Sequence, residues 1–173
     1  RAKRIRTNPK RTAYPEVPAT TQWLQHFKTE CDRYPILVLL AKSRMGKTEY
    51  AKSLFTKPLE LKVGKLATGV WPNALRDFDE KVHDALILDD VRDLQWVVDA
   101  QDKIQGKYDG ELEFATTQGG TCAFYLNLWR VPVVVSINYS TKNLQLLETD
   151  DFLAHPDNRT LVVFKKETWK PQF

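Results

Sequence analysis

An apolar run, Ile36–Leu40, leads directly into Ala41-Lys42-Ser43-Arg44-Met45-Gly46-Lys47-Thr48, after which 48–55 has helical character. No other feature restricts the fold as much. A run that is apolar at every position suits a strand covered on both faces, as in a parallel sheet. A loop between such a strand and a helix N-terminus turns successive N–H groups toward one point, which is how a phosphate is cradled. In this reading Gly46 permits the tight turn, and Ser43, Arg44 and Met45 complete the loop around a bound nucleotide. Lys47 reaches the β- and γ-phosphates, and the Thr48 hydroxyl is a Mg²⁺ ligand. The first position of the pattern, usually Gly, is Ala41. A Cβ is accepted there only while φ stays negative.

The remainder alternates apolar strand runs with helical stretches. Expected strands are 59–63, 85–88, 131–137 and 161–164, and expected helices are 75–82 and 94–104. That alternation predicts an α/β domain with a largely parallel central sheet flanked by helices. Residues 110–127 break the rhythm: Leu112/Phe114 and Phe124/Leu126 alternate around Thr-Thr-Gln-Gly-Gly-Thr, which predicts an inserted β-hairpin. Upstream, Trp23, Leu24 and Phe27 recur at helical spacing behind the cap candidates Thr20 and Thr21, so 21–33 reads as a short amphipathic helix. Residues 1–20, basic and then Pro-containing, read as a linker or arm preceding one domain over 21–173.

Charge is divided unevenly. The net charge is +4, yet Arg1, Lys3, Arg4, Arg6, Lys10 and Arg11 are six of the 26 basic residues and no acid accompanies them, leaving 20 basic against 22 acidic residues. The body is therefore slightly acidic, and overall charge is no argument for nucleic-acid binding by the core. The arm itself has the composition of a nucleic-acid contact or a nuclear localisation signal. Two cysteines are too few for a disulfide framework, which points to an intracellular setting. No apolar run approaches the roughly 20 residues that span a bilayer. The start at Arg1 reads as that of a piece from a longer protein.

Two further strand ends carry polar chemistry. The run 85–88 ends in Asp89 and Asp90, and 131–137 ends at Asn138. In a parallel sheet these carboxyl ends border the same crevice as the phosphate loop. Adjacent carboxylates repel unless a cation neutralises them. Asp89 is thus assigned to Mg²⁺ and Asp90 to orienting or deprotonating an attacking water. The Asn138 amide can hydrogen-bond the γ-phosphate and that water together.

Together, 41–48, Leu-Ile-Leu-Asp-Asp at 86–90, Thr-Thr-Gln-Gly-Gly-Thr-Cys-Ala-Phe at 116–124 and Val-Val-Val-Ser-Ile-Asn at 133–138 resemble motifs A, B, B′ and C of superfamily 3 helicases. The likeness is to the ATPase domain of replication initiator (Rep) proteins of circular single-stranded DNA viruses, or a captured relative, and covers about 20–170. It implies a P-loop NTPase fold of AAA+-like type and an ATP- and Mg²⁺-dependent helicase that works as a hexameric homo-oligomeric ring on single-stranded DNA. An upstream endonuclease domain and a host-nuclear location are further implications. By the same resemblance Gln118, Gly119 and Gly120 at the hairpin tip, with Lys107, contact DNA, and Arg159 is an arginine finger offered to a neighbouring subunit. One departure concerns the tip, where the family commonly has a lysine and this chain has Gln118. Loss of a backbone-contacting cation weakens sequence-independent DNA affinity, for which Lys103, Lys107 and Arg130 are possible substitutes. The tryptophans, Trp23, Trp96 and Trp129 among them, are spaced as core residues rather than as base-stacking platforms. The alternative function is a degenerate or domesticated Rep-derived module that binds nucleotide or nucleic acid without unwinding.

Overall fold

The computed structural model describes residues 14–105, 109–119 and 122–165. The strand Ile36–Leu40 (β1) is buried at all five positions. Ile36, Val38 and Leu40 point into one apolar layer, and Leu37 and Leu39 into the other. Two buried faces need two covering layers. The chain supplies them with Pro18–Gln25 (α1) and Lys47–Ser53 (α2) over one face. Over the other lie Leu94–Asp99 (α3), Gln101–Ile104 (α4), Thr141–Thr149 (α5) and the hairpin.

The remaining strands are Pro58–Gly64 (β2), Ala85–Val91 (β3), Leu112–Ala115 (β4), Ala123–Leu126 (β5), Val133–Ile137 (β6) and Arg159–Val163 (β7). Five of them form a sheet in the order β2-β3-β6-β1-β7, with every neighbouring pair parallel. The expected α/β architecture is therefore present: a mixed fold on a parallel five-stranded sheet flanked by helices. Connections leave β1 toward β2 on one side and return across it to β7 on the other. Such a reversal opens a crevice at the strands' carboxyl ends.

The hairpin is a separate two-stranded antiparallel sheet, β4 with β5. It is docked rather than free. Phe114 is fully buried, edge-on to Trp71 at 5.1 Å between ring centres, and Trp71 meets Trp96 of α3 at 4.7 Å. Hydrogen bonds reinforce the aromatic contact, with the Trp71 backbone N–H donating to Ala115 O at 2.8 Å and the Trp96 indole N–H to Val70 O at 3.0 Å. Trp23 and Trp96 are core residues as expected, while Trp129 is half-buried.

Several local expectations change. The helix over 75–82 is only a 3-10 turn, Asn73–Asp77, after which Phe78 is extended. There the Asp79 carboxylate accepts the Lys81 N–H at 2.9 Å, a local bond that competes with helix continuation. The helix over 94–104 breaks at Ala100 into α3 and α4. The first helix starts at Pro18, whose fixed φ suits a first turn, and ends at Gln25, followed by a 3-10 turn to Lys28. Thr20 is consequently inside α1, where its Oγ1 accepts the Tyr50 hydroxyl at 2.7 Å, instead of capping it. Helix α5, which no pattern above predicts, is capped by Ser140, whose Oγ accepts the Asn143 N–H.

Candidate functional site

At the carboxyl end of the sheet, the loop 43–48, Asp89, Asp90, Ser136 and Asn138 border one open cleft of about 390 Å³. Each element arrives there for a local reason. Gly46 adopts φ 81°, a left-handed conformation that a Cβ disfavours, at the cap of α2. Arg44 is also left-handed, at φ 63°. Ala41 is not among the positive-φ residues and is fully buried, so its Cβ packs in the core without backbone strain. The condition attached to the missing glycine is thus met.

Lys47 is 8% exposed, and its ammonium donates to three oxygens: Ala41 O at 3.1 Å, Lys42 O at 3.2 Å and Asn138 Oδ1 at 2.7 Å. All three donors of the ammonium are used. Burial pushes the Lys47 ammonium below the ordinary lysine range, against the opposing pull of Asp89 and Asp90. Thr48 Oγ1 donates to Asp89 Oδ1 at 2.8 Å. Three sequence-distant motifs are therefore joined directly from the start of α2, Lys47 to the residue after β6 and Thr48 to β3.

Asp90 is exposed on the cleft, with Arg92 Nε at 3.7 Å from its Oδ2. Its backbone is left-handed, at φ 53°, in the stretch where the β3–β6 register shifts between Leu88 and Val91. A bulge of this kind re-aims a side chain away from strict strand alternation. Here it lets Asp89 and Asp90, neighbours in sequence, both border the cleft.

A comparison with family models gave no match, and neither curated proteins nor solved structures gave one. The fold and the cleft therefore stand on their own geometry.

Other expected residues sit elsewhere. Arg159 begins β7 in register with Ile36, at the opposite end of the sheet from the loop 43–48. Its Nε donates to Leu153 O at 2.7 Å, and burial disfavours its charge. The length of β1, roughly 13 Å at about 3.3 Å per residue, separates it from its own chain's loop. Gln118 and Gly119 are exposed in the hairpin turn. Gly120, Lys107 and the basic residues of the arm lie outside the described residues. Of the substitute cations, Lys103 donates to Glu113 O and lies over the Phe114 ring, and Arg130 Nε donates to Phe27 O at 3.0 Å. Both are engaged within the fold.

Three lining residues were not foreseen, Glu49, Lys62 and Ser136. Lys62 on β2 stands in register with Asp89, which adds a cation to the side of the cleft opposite the loop. Nothing local marks it, because Lys62 takes an ordinary polar position in the alternating run Leu59-Glu60-Leu61-Lys62-Val63. Among the described residues, no group of three or more His, Cys, Asp or Glu could hold a metal ion, and no helix is long and apolar enough to cross a membrane.

Proposed function

We propose that the cleft binds and hydrolyses ATP with Mg²⁺. The observation that carries this reading is the direct contact of Lys47 with Asn138 and of Thr48 with Asp89. The residues fit the group. Magnesium bound with a nucleotide takes one or two protein oxygens plus phosphates and water, so Thr48 and Asp89 suffice without a dedicated protein cage. When bound, Mg·ATP supplies the transferable phosphoryl group and part of its charge neutralisation. The loop N–H groups and Lys47 hold the phosphates, Lys47 exchanging carbonyl partners for phosphate oxygens. Asp90 accepts a proton from the attacking water, and Asn138 orients that water against the γ-phosphate.

The wider reading is a superfamily 3-type helicase domain with a P-loop NTPase fold, acting as a ring on single-stranded DNA with Arg159 delivered to a neighbour's site. Its distance from its own loop supports action in trans over action in cis. ATP turnover by this chain and by Lys47→Ala, with and without single-stranded DNA, tests the proposal. Turnover that Lys47→Ala leaves intact defeats it.

One observation favours a second reading, a nucleotide-binding module without unwinding. The exposed tip carries Gln118, and Lys103 and Arg130 are occupied within the fold. ATPase activity that single-stranded DNA does not stimulate selects this reading.

A further inference from the structure

Asn143, on α5 and away from the cleft, is 2% exposed. Its amide uses both its oxygen and its nitrogen across a gap between two segments. The Oδ1 accepts the Leu94 N–H at 3.0 Å, and Nδ2 donates to Arg92 O at 3.1 Å. Those two backbone groups bracket Asp93, in the link that follows Asp90. Asn143's own N–H donates to Ser140 Oγ at 3.1 Å, in the link that follows Asn138. A second connection crosses the same gap at the surface, from Lys142 Nζ to Asp93 Oδ2 at 2.7 Å.

The need for such a connection is visible in the sheet. Regular β3–β6 pairing stops at Leu88 and resumes only at Val91 with Ile137, so Asp89 and Asp90 have no regular register partners on β6. The ladder therefore holds these carboxylates relative to Asn138 only through the flanking Val91–Ile137 pair. Asn143 adds a second restraint a few residues beyond the bulge, between the segments that follow the two strands.

We propose that Asn143 is a positioning residue for hydrolysis, holding the Asp89–Asp90 bulge and Asn138 at a common spacing. It rests on the ATPase reading for its effect on turnover. Its effect on backbone order stands apart from that reading. Misplacing reacting groups by about 1 Å costs on the order of 100-fold in rate, whereas phosphate binding at the loop does not pass through Asn143.

The test compares the full chain with Asn143→Leu, Asn143→Asp and Lys142→Ala. Asn143→Leu removes both amide bonds, Asn143→Asp keeps an acceptor for Leu94, and Lys142→Ala removes only the exposed ion pair. In Asn143→Leu the expected kcat falls about tenfold or more, while KM and the Kd for a fluorescent ADP analogue stay within about twofold. Asn143→Asp falls between it and the unmodified chain, and Lys142→Ala retains full kcat. Hydrogen exchange read in the same samples loosens residues 91–95 and 138–141 together. If Asn143→Leu does not fold, Asn143→Asp carries both readouts. Unchanged kcat in folded Asn143→Leu, or loosening confined to 91–95, overturns the proposal. A chain without Lys47-dependent turnover removes the ATPase reading instead, and the paired loosening then decides the restraint alone.

Discussion

Asp90 offers the sharpest test, because its backbone and its side chain make opposite demands. At φ 53° it lies in the left-handed region, where an ordinary L-residue costs about 1–2 kcal/mol and Asp or Asn less. Its side chain is exposed, and its ion pair with Arg92 at 3.7 Å contributes at most about 1 kcal/mol. Replacing Asp90 by Asn therefore leaves stability within about 0.5 kcal/mol. Ala pays the left-handed cost, and Val pays it with β-branching added, about 2 kcal/mol. For a domain of this size each kcal/mol moves Tm by about 2–4 °C. The expected thermal order is Asn and Gly highest, then Ala, then Val some 4–8 °C lower. Activity follows a different order. Every replacement removes the proposed base, so kcat falls about 10²–10⁴-fold in all four, Asn included. Differential scanning calorimetry and steady-state ATP turnover on the same preparations separate the two series. Equal Tm for Asn and Val would show that the bulge does not demand left-handed backbone, and full turnover in Asp90→Asn would remove its catalytic role.

Three further outcomes are expected. Burial lowers the Lys47 pKa, so between its folded value and the unfolded value of about 10.4 the unfolded chain holds more protons and stability rises with pH. Chemical denaturation across that alkaline window shows this rise in the unmodified chain and its absence in Lys47→Met; equal slopes refute it. Arg159→Ala lowers turnover about 10³-fold or more. Mixing it with equally inactive Lys47→Ala restores part of the activity, because one mixed interface joins an intact loop to an intact Arg159, and no recovery at any ratio contradicts a shared site. Trp71→Ala costs about 3–5 kcal/mol by opening a cavity between α3 and the hairpin, and amide exchange accelerates in 112–115 before it does in β1.

The readable parts of the sequence were those whose local chemistry and global placement agree. β1 matches its expected bounds because an all-apolar pentapeptide ending in a loop has one favourable environment, an interior strand covered on both faces. The hairpin was legible from alternation on both sides of a Gly-Gly turn, although its docking on Trp71 and Trp96 was not. Misread segments have identifiable competitors. The helix over 75–82 lost to the Asp79 turn, and α5 went unseen although Ser140 is a cap and Leu144 and Leu147 share its spacing. Lys62 and Asn143 were invisible as functional candidates, since a lone lysine or asparagine acquires meaning only from the partner facing it.

By itself the sequence determined which residue types stand at the strand ends: a lysine and hydroxyl after one, two carboxylates after another, an amide after a third. Strand periodicity and loop composition are local properties, so they can be read along the chain. Only the tertiary structure decided that these ends meet, through the order β2-β3-β6-β1-β7 that sets β3 beside β6 and β6 beside β1. It also decided that Asp90 turns into the cleft through a left-handed bulge, and that Arg159 lies at the far end of the sheet. Strand order is fixed by which apolar faces bury together across long sequence separations, and no local pattern encodes that choice.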